Sequence, residues 1–191
     1  MARAGHHAGR LQEAERRYEE ALELAQQRGE RSAEATLRNN LGLVREARGE
    51  VEQAAQLFRQ AMALNQALGN LESEASNHVN LGMLAEARRD YEAAEREYER
   101  ALELDKTAEQ RMEIAADLQR LGRIAERRGF PDRGLVYSER AYRSYLAQGA
   151  FAQARSALSQ AVGCAKKMER AGDLARLEME LNRLTVSQSE R

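Results

Sequence analysis

Residues 40–61 read NLGLVREARGEVEQAAQLFRQA, and residues 80–101 read NLGMLAEARRDYEAAEREYERA. Leu41-Gly42 returns as Leu81-Gly82 and again as Leu121-Gly122, 40 residues apart each time. Ala54, Phe58 and Ala61 return as Ala94, Tyr98 and Ala101, and one step back as Ala14, Tyr18 and Ala21. The turn glycines Gly9 and Gly49 share this register, as do Gly29, Gly69 and Gly149. Matched glycine, aromatic and alanine positions at one fixed period are the signature of a repeat array.

Each unit reads as two helices. In the second unit the spacing predicts helices over 31–48 and 51–68, with Gly49 between them and Gly69-Asn70 closing the pair. Glycine suits a helix end because it reaches the left-handed conformation without a Cβ clash. Asp90 is placed as the N-cap of the helix that carries Tyr98, Thr107 and Gln110 have capping-box spacing, and Pro131 falls at a helix start. Gly42, Gly82 and Gly122 fall in mid-helix, where glycine costs about 1 kcal/mol against alanine. The same cost at one register points to steric need, with the facing helix expected to touch the backbone there. The aromatic at Tyr18, Phe58 and Tyr98 then fills the space between neighbouring units.

Composition agrees. Of 191 residues, 32 % are charged, 5 % are aromatic, one is proline and none is tryptophan. A β-sandwich or barrel needs more aromatics, β-branched residues and turn prolines than this. The net charge of −1, from 30 basic and 31 acidic residues, is no footprint for nucleic acid. Only Lys106, Lys166 and Lys167 of the basic residues are lysines, a bias that fits a GC-rich coding genome. The single Cys164 forms no intrachain disulfide and fits a reducing cytoplasm. No stretch reaches the ~20 apolar residues of a membrane span, and residues 1–11 lack the apolar core of a secretion signal.

These residues resemble the tetratricopeptide repeat family, whose unit joins a Leu-Gly pair, a turn glycine and an Ala–aromatic–Ala helix. The second unit carries all of it in Leu41, Gly42, Gly49, Ala54, Phe58 and Ala61. The third carries Leu81, Gly82, Ala94, Tyr98 and Ala101, with Arg89 at the turn. A 40-residue unit in place of the usual 34 is similar to the long-helix subgroup found in kinesin light chains and many bacterial regulators. The resemblance implies an all-α, right-handed superhelical solenoid in one domain over 1–191. Its parts are a partial repeat 1–29, repeats 30–69, 70–109 and 110–149, a degenerate capping repeat 150–184 and a frayed tail 185–191. The partial start is expected either as a piece of a longer array or as a cap. Gly134 and Ser138 stand where the fourth unit needs alanine and an aromatic, and Tyr137, Tyr142 and Tyr145 are the candidates to replace that packing.

Enzyme signatures are missing: there is no P-loop, dinucleotide fingerprint, GxSxG or HExxH. No catalytic residue, metal site or cofactor is therefore assigned. His6 and His7 are adjacent on a helix and point about 100° apart, and no acidic or thiol cluster completes a site with them. Cys164 has Lys166 and Lys167 near it but no positioned base, so a core thiol is the better reading.

The resemblance also implies where a ligand sits. The first helix of each unit lines the concave face, and the residue before Leu-Gly points into it: Asn40, Asn80, Arg120, then Gln160 in the last unit. An asparagine amide both donates and accepts, so a ladder of them can hold a peptide backbone; the plainer reading is bonding to its own helix or to water. Leu43 and Met83 offer apolar contact one turn on. The N-terminal half of the groove offers Asn39, Asn40, Glu46, Asn80 and Glu86; the C-terminal half offers Arg120, Arg123, Arg127, Lys166 and Lys167. That basic half is either a solvated face or a receptor for acidic side chains. The chain is accordingly read as a cytoplasmic protein- or peptide-binding scaffold, with an acidic segment as the candidate partner. The alternative is self-association through open repeat ends into a homo-oligomer.

Overall fold

A computed structural model describes residues 2–189, with side chains over 10–185. Among the described residues there are nine helices and no strand, and helix covers 88 %. The chain forms two compact units, Met1–Arg88 and Arg89–Arg191. The first holds α1 (Ala2–Arg28), α2 (Arg31–Ala47), α3 (Val51–Leu68) and α4 (Leu71–Ala87). The second holds α5 (Tyr91–Thr107), α6 (Arg111–Arg127), α7 (Pro131–Ala147), α8 (Phe151–Lys167) and α9 (Ala171–Ser189). Helix starts at 31, 71, 111 and 151, and at 51, 91, 131 and 171, reproduce the 40-residue step. Within each unit every helix packs on the next, as the short connections require of antiparallel neighbours.

One left-handed residue closes each turn, and these residues fall every 20 positions. Gly49 takes φ 77°, which costs glycine nothing, whereas Arg89, Glu109 and Glu169 take 61°, 56° and 54° at the same register against a Cβ penalty. The side chains of Asn70 and Asp90 cap α4 and α5, accepting from the amides of Ser73 and Ala93 at 3.1 and 3.0 Å. Pro131 is the first residue of α7. Thr107 and Gln110 do not form the expected capping box. Thr107 ends α5 with its hydroxyl donating to the Glu103 carbonyl at 3.0 Å, and Gln110 precedes α6 without a side-chain cap.

Gly9 makes no turn, because α1 runs through it from Ala2 to Arg28. A glycine inside a longer helix costs only about 1 kcal/mol. At the other end α9 continues to Ser189, through most of the segment expected as a tail. The side chains of His6 and His7 lie outside those described.

The glycines at this recurring register are explained differently at Gly42 and at Gly122. A Cβ on Gly42 would lie 2.5 Å from Phe58 Cε1, so the ring, and not the facing backbone, occupies that space. In the second unit the aromatic is replaced by Ser138 and the two helices meet by their backbones. A Cβ on Gly122 would lie 2.7 Å from Ser138 Oγ, and one on Gly134 would lie 3.0 Å from the Gly122 carbonyl oxygen. The Ser138 hydroxyl is satisfied by the Gly134 carbonyl at 2.8 Å. Tyr145 is buried and Tyr142 packs on the core formed by Leu135, Leu158, Val162 and Leu177. In the first unit Ala54, Phe58, Leu81 and Leu84 form the core. Leu41, Leu81 and Leu121 are all buried.

Candidate functional site

Helices α2 and α4 bring three asparagines together with one from α3. Asn65 Nδ2 donates to Asn77 Oδ1 at 2.7 Å, and Asn77 Nδ2 donates to Asn39 Oδ1 at 3.0 Å. Asn80 Nδ2 donates to the same Asn39 oxygen at 2.9 Å. Asn65 and Asn77 are buried, which makes these bonds necessary, since an unpaired buried amide costs about 1–3 kcal/mol. Both lone pairs of Asn39 Oδ1 are thereby filled. What Asn39 has left for a ligand is its Nδ2 group, a donor. It lines a cleft of about 150 Å³ with Ala35, Thr36, Asn65, Ser73, Ser76 and Asn77.

The sequence places Asn40 and Asn80 as the gripping amides. The structure brings Asn80 onto Asn39, while Asn40 is half-buried on α2 and takes no part in the relay. Leu43 and Met83 are exposed one turn further along, and Glu46 and Glu86 are half-buried beyond them. Asn65 and Asn77 escape the sequence reading because each sits on a packing face. Their signal is a polar residue at a register otherwise filled by Ala25 and Leu37 one step earlier.

In the second unit the basic residues are largely engaged by the unit's own carboxylates. Arg120 donates to Asp117 Oδ1 at 2.6 Å, Lys166 pairs with Glu178 at 3.3 Å, and Lys167 pairs with Glu126 at 2.8 Å. Gln160 Nε2 reaches the Gln119 carbonyl at 3.3 Å. Arg123 is half-buried and Arg127 exposed. Burial, opposed by Arg120 and reinforced by Asp105, holds the Asp117 carboxyl up at about 7. Cys164 is buried between α7 and α8, and burial first, then Glu126, pushes its thiol up to about 11. That is the environment of an inert core thiol. Among the described residues no group of three or more His, Cys, Asp or Glu could hold a metal ion, and no helix is long and apolar enough to cross a membrane.

Comparison with known proteins follows the same lines. No curated protein matches the chain. Among solved structures, BtubC (BKLC) from P. vanneervenii superposes with a TM-score of 0.85 at 21 % identity, over 97 % of this chain and 77 % of that one. A putative kinesin light chain from Podosopora anserina with nearly identical TPR-like repeats gives 0.74 at 15 % identity, over 100 % and 94 %. Aspartyl phosphate phosphatase F from Bacillus subtilis gives 0.75 at 11 % identity, over 83 % of this chain and 42 % of that one. At these identities the likeness is one of fold. Two family models described as tetratricopeptide repeat match residues 1–67 and 75–108, together more than half of the chain. With its recurring Leu-Gly and Ala–aromatic–Ala positions, its paired helices and these matches, the chain belongs to the tetratricopeptide repeat family.

Proposed function

We propose that the α2/α4 face of the first unit binds a segment of another protein, with Asn39 donating to a backbone carbonyl or carboxylate of that segment. Tetratricopeptide repeats generally mediate protein–protein interaction and scaffolding. The observation that carries the reading is the amide relay: it fills the acceptor side of Asn39 from within and leaves Asn39 only its Nδ2 donors for the cleft. Leu43 and Met83, exposed beside it, supply apolar contact. The basic residues of the second unit are proposed to receive an acidic portion of the partner, in competition with Asp117, Glu178 and Glu126. On this reading the protein is a scaffold or regulatory module in the cytoplasm and acts by binding rather than by catalysis.

A photo-crosslinking residue separates the faces. Placed at Ser76, on the cleft, it is expected to capture the partner; placed at Gln56, on the exposed side of α3, it is not. Equal capture at both positions, or capture at Gln56 alone, contradicts the assignment.

Self-association is the second reading, favoured by α1. Ala14, Tyr18 and Ala21 are half-buried, whereas their counterparts Ala54, Phe58 and Ala61 are fully buried under α2 and its neighbours. Mass that rises with protein concentration and falls in Tyr18→Glu supports it; a constant monomer mass contradicts it.

A further inference from the structure

The register that holds an amide pair in the first unit holds two carboxyls in the second. Asn65 and Asn77 are joined by a direct hydrogen bond of 2.7 Å. Forty residues on, the same positions are Asp105 and Asp117, 3 % and 0 % exposed. An amide donates to its neighbour, but an ionised carboxylate cannot. Asp117 Oδ1 accepts from Arg120, while its Oδ2 is buried and meets no donor. Asp105 lies close enough to Asp117 to raise its carboxyl further. One proton resolves the arrangement. On either carboxyl it makes an O–H that can donate to the other, as the Asn65 amide donates to Asn77. The cluster then carries one negative charge against the one positive charge of Arg120, which is the economical state of a buried carboxyl pair.

We propose that Asp105 and Asp117 form a proton-binding site inside the second unit, sharing one proton at neutral pH where the first unit uses a fixed amide pair. The inference stands independently of the groove reading. Within the unit Asp105 from α5 and Arg120 from α6 act on Asp117, and Asp117 in turn acts on Tyr145 from α7, whose hydroxyl is raised first by burial, then lowered by Arg120 and raised by Glu113. The matching position on α8 is Ala157, which carries no charge. The carboxyl is held at about 7 when folded, chiefly by burial, against ~3.9 when unfolded. Folded protein therefore keeps a proton that unfolded protein releases to water. The stabilisation is complete below the unfolded value and is lost as pH rises through about 7.

Two readouts on the full chain test this. With 13C-carboxyl-labelled aspartate, one aspartate signal of the wild type is expected to titrate near pH 7, well above the others. The step is expected to vanish in Asp105→Asn, because the amide then supplies the donor without a proton. The melting temperature of the wild type, relative to that of Asp105→Asn, is expected to fall between pH 5 and pH 8; the surface carboxylates common to both cancel. Wild-type aspartates that all titrate below about pH 5 overturn the proposal, whether or not the variant folds. Parallel melting profiles for the two proteins overturn it as well.

Discussion

Replacing Phe58 with alanine is expected to destabilise the first unit by about 3–5 kcal/mol, the usual cost of emptying an aromatic site in a core. The ring is completely buried and packs with Ala54, Ala55, Leu81 and Leu84, flanked by Val51 and Met62. The position opposite is Gly42, so no side chain stands ready to move into the vacated space. That argues for the upper part of the range. Urea unfolding followed by helical circular dichroism measures it, and a loss below about 1 kcal/mol would show that the ring is not the wedge between α2 and α3.

The complementary change, Gly42→Leu, is expected to cost about 1–3 kcal/mol by overpacking. Leucine is the better helix former by nearly 1 kcal/mol, so on propensity alone the variant would be stabilised. Sterics decide the sign, because even the first carbon of the new side chain would lie 2.5 Å from the Phe58 ring. The two substitutions should therefore compensate. In a Phe58→Ala background Gly42→Leu is expected to restore stability, giving a coupling energy of opposite sign to the single effects. Strictly additive losses would separate the glycine from the ring and leave its recurrence without a physical reason.

The repeat is legible in the sequence because stacked units must present the same shapes to one another. Leu41-Gly42 returns at 81–82 and 121–122, and the Phe58 ring as Tyr98, for that reason. Turns without glycine are legible only through the repeat register, as at Arg89. Arg89, Glu109 and Glu169 adopt the same left-handed conformation with side chains that carry no such signal. Gly9 carries the signal without the turn, since a helix interior tolerates glycine at a cost of about 1 kcal/mol. Polar partners are harder to read. The bond between Asn65 and Asn77 joins two helices, and which of Asn39 and Asn40 meets it depends on a rotation of about 100° per residue. Spacing from Leu-Gly selects Asn40, whereas the relay ends on Asn39. The acidic pair Asp105 and Asp117 stands one step on from Asn65 and Asn77, and its meaning requires the burial that only the fold supplies.

The central claim is that Asn39 offers donors to a bound segment, and Asn39→Asp tests it with little change in shape. The carboxylate still accepts from Asn77 and Asn80, so the internal relay survives and the melting temperature should stay close to that of the wild type. The two donors facing the cleft are lost, and an acceptor now meets the ligand's carbonyl or carboxylate. Leaving such a group unpaired costs about 1–3 kcal/mol, which is ~5- to 150-fold in affinity. Calorimetric titration of a partner segment recovered through the Ser76 cross-link is the measurement. Weakened binding by a stably folded Asn39→Asp variant is the result expected, and wild-type affinity in that variant would contradict the account.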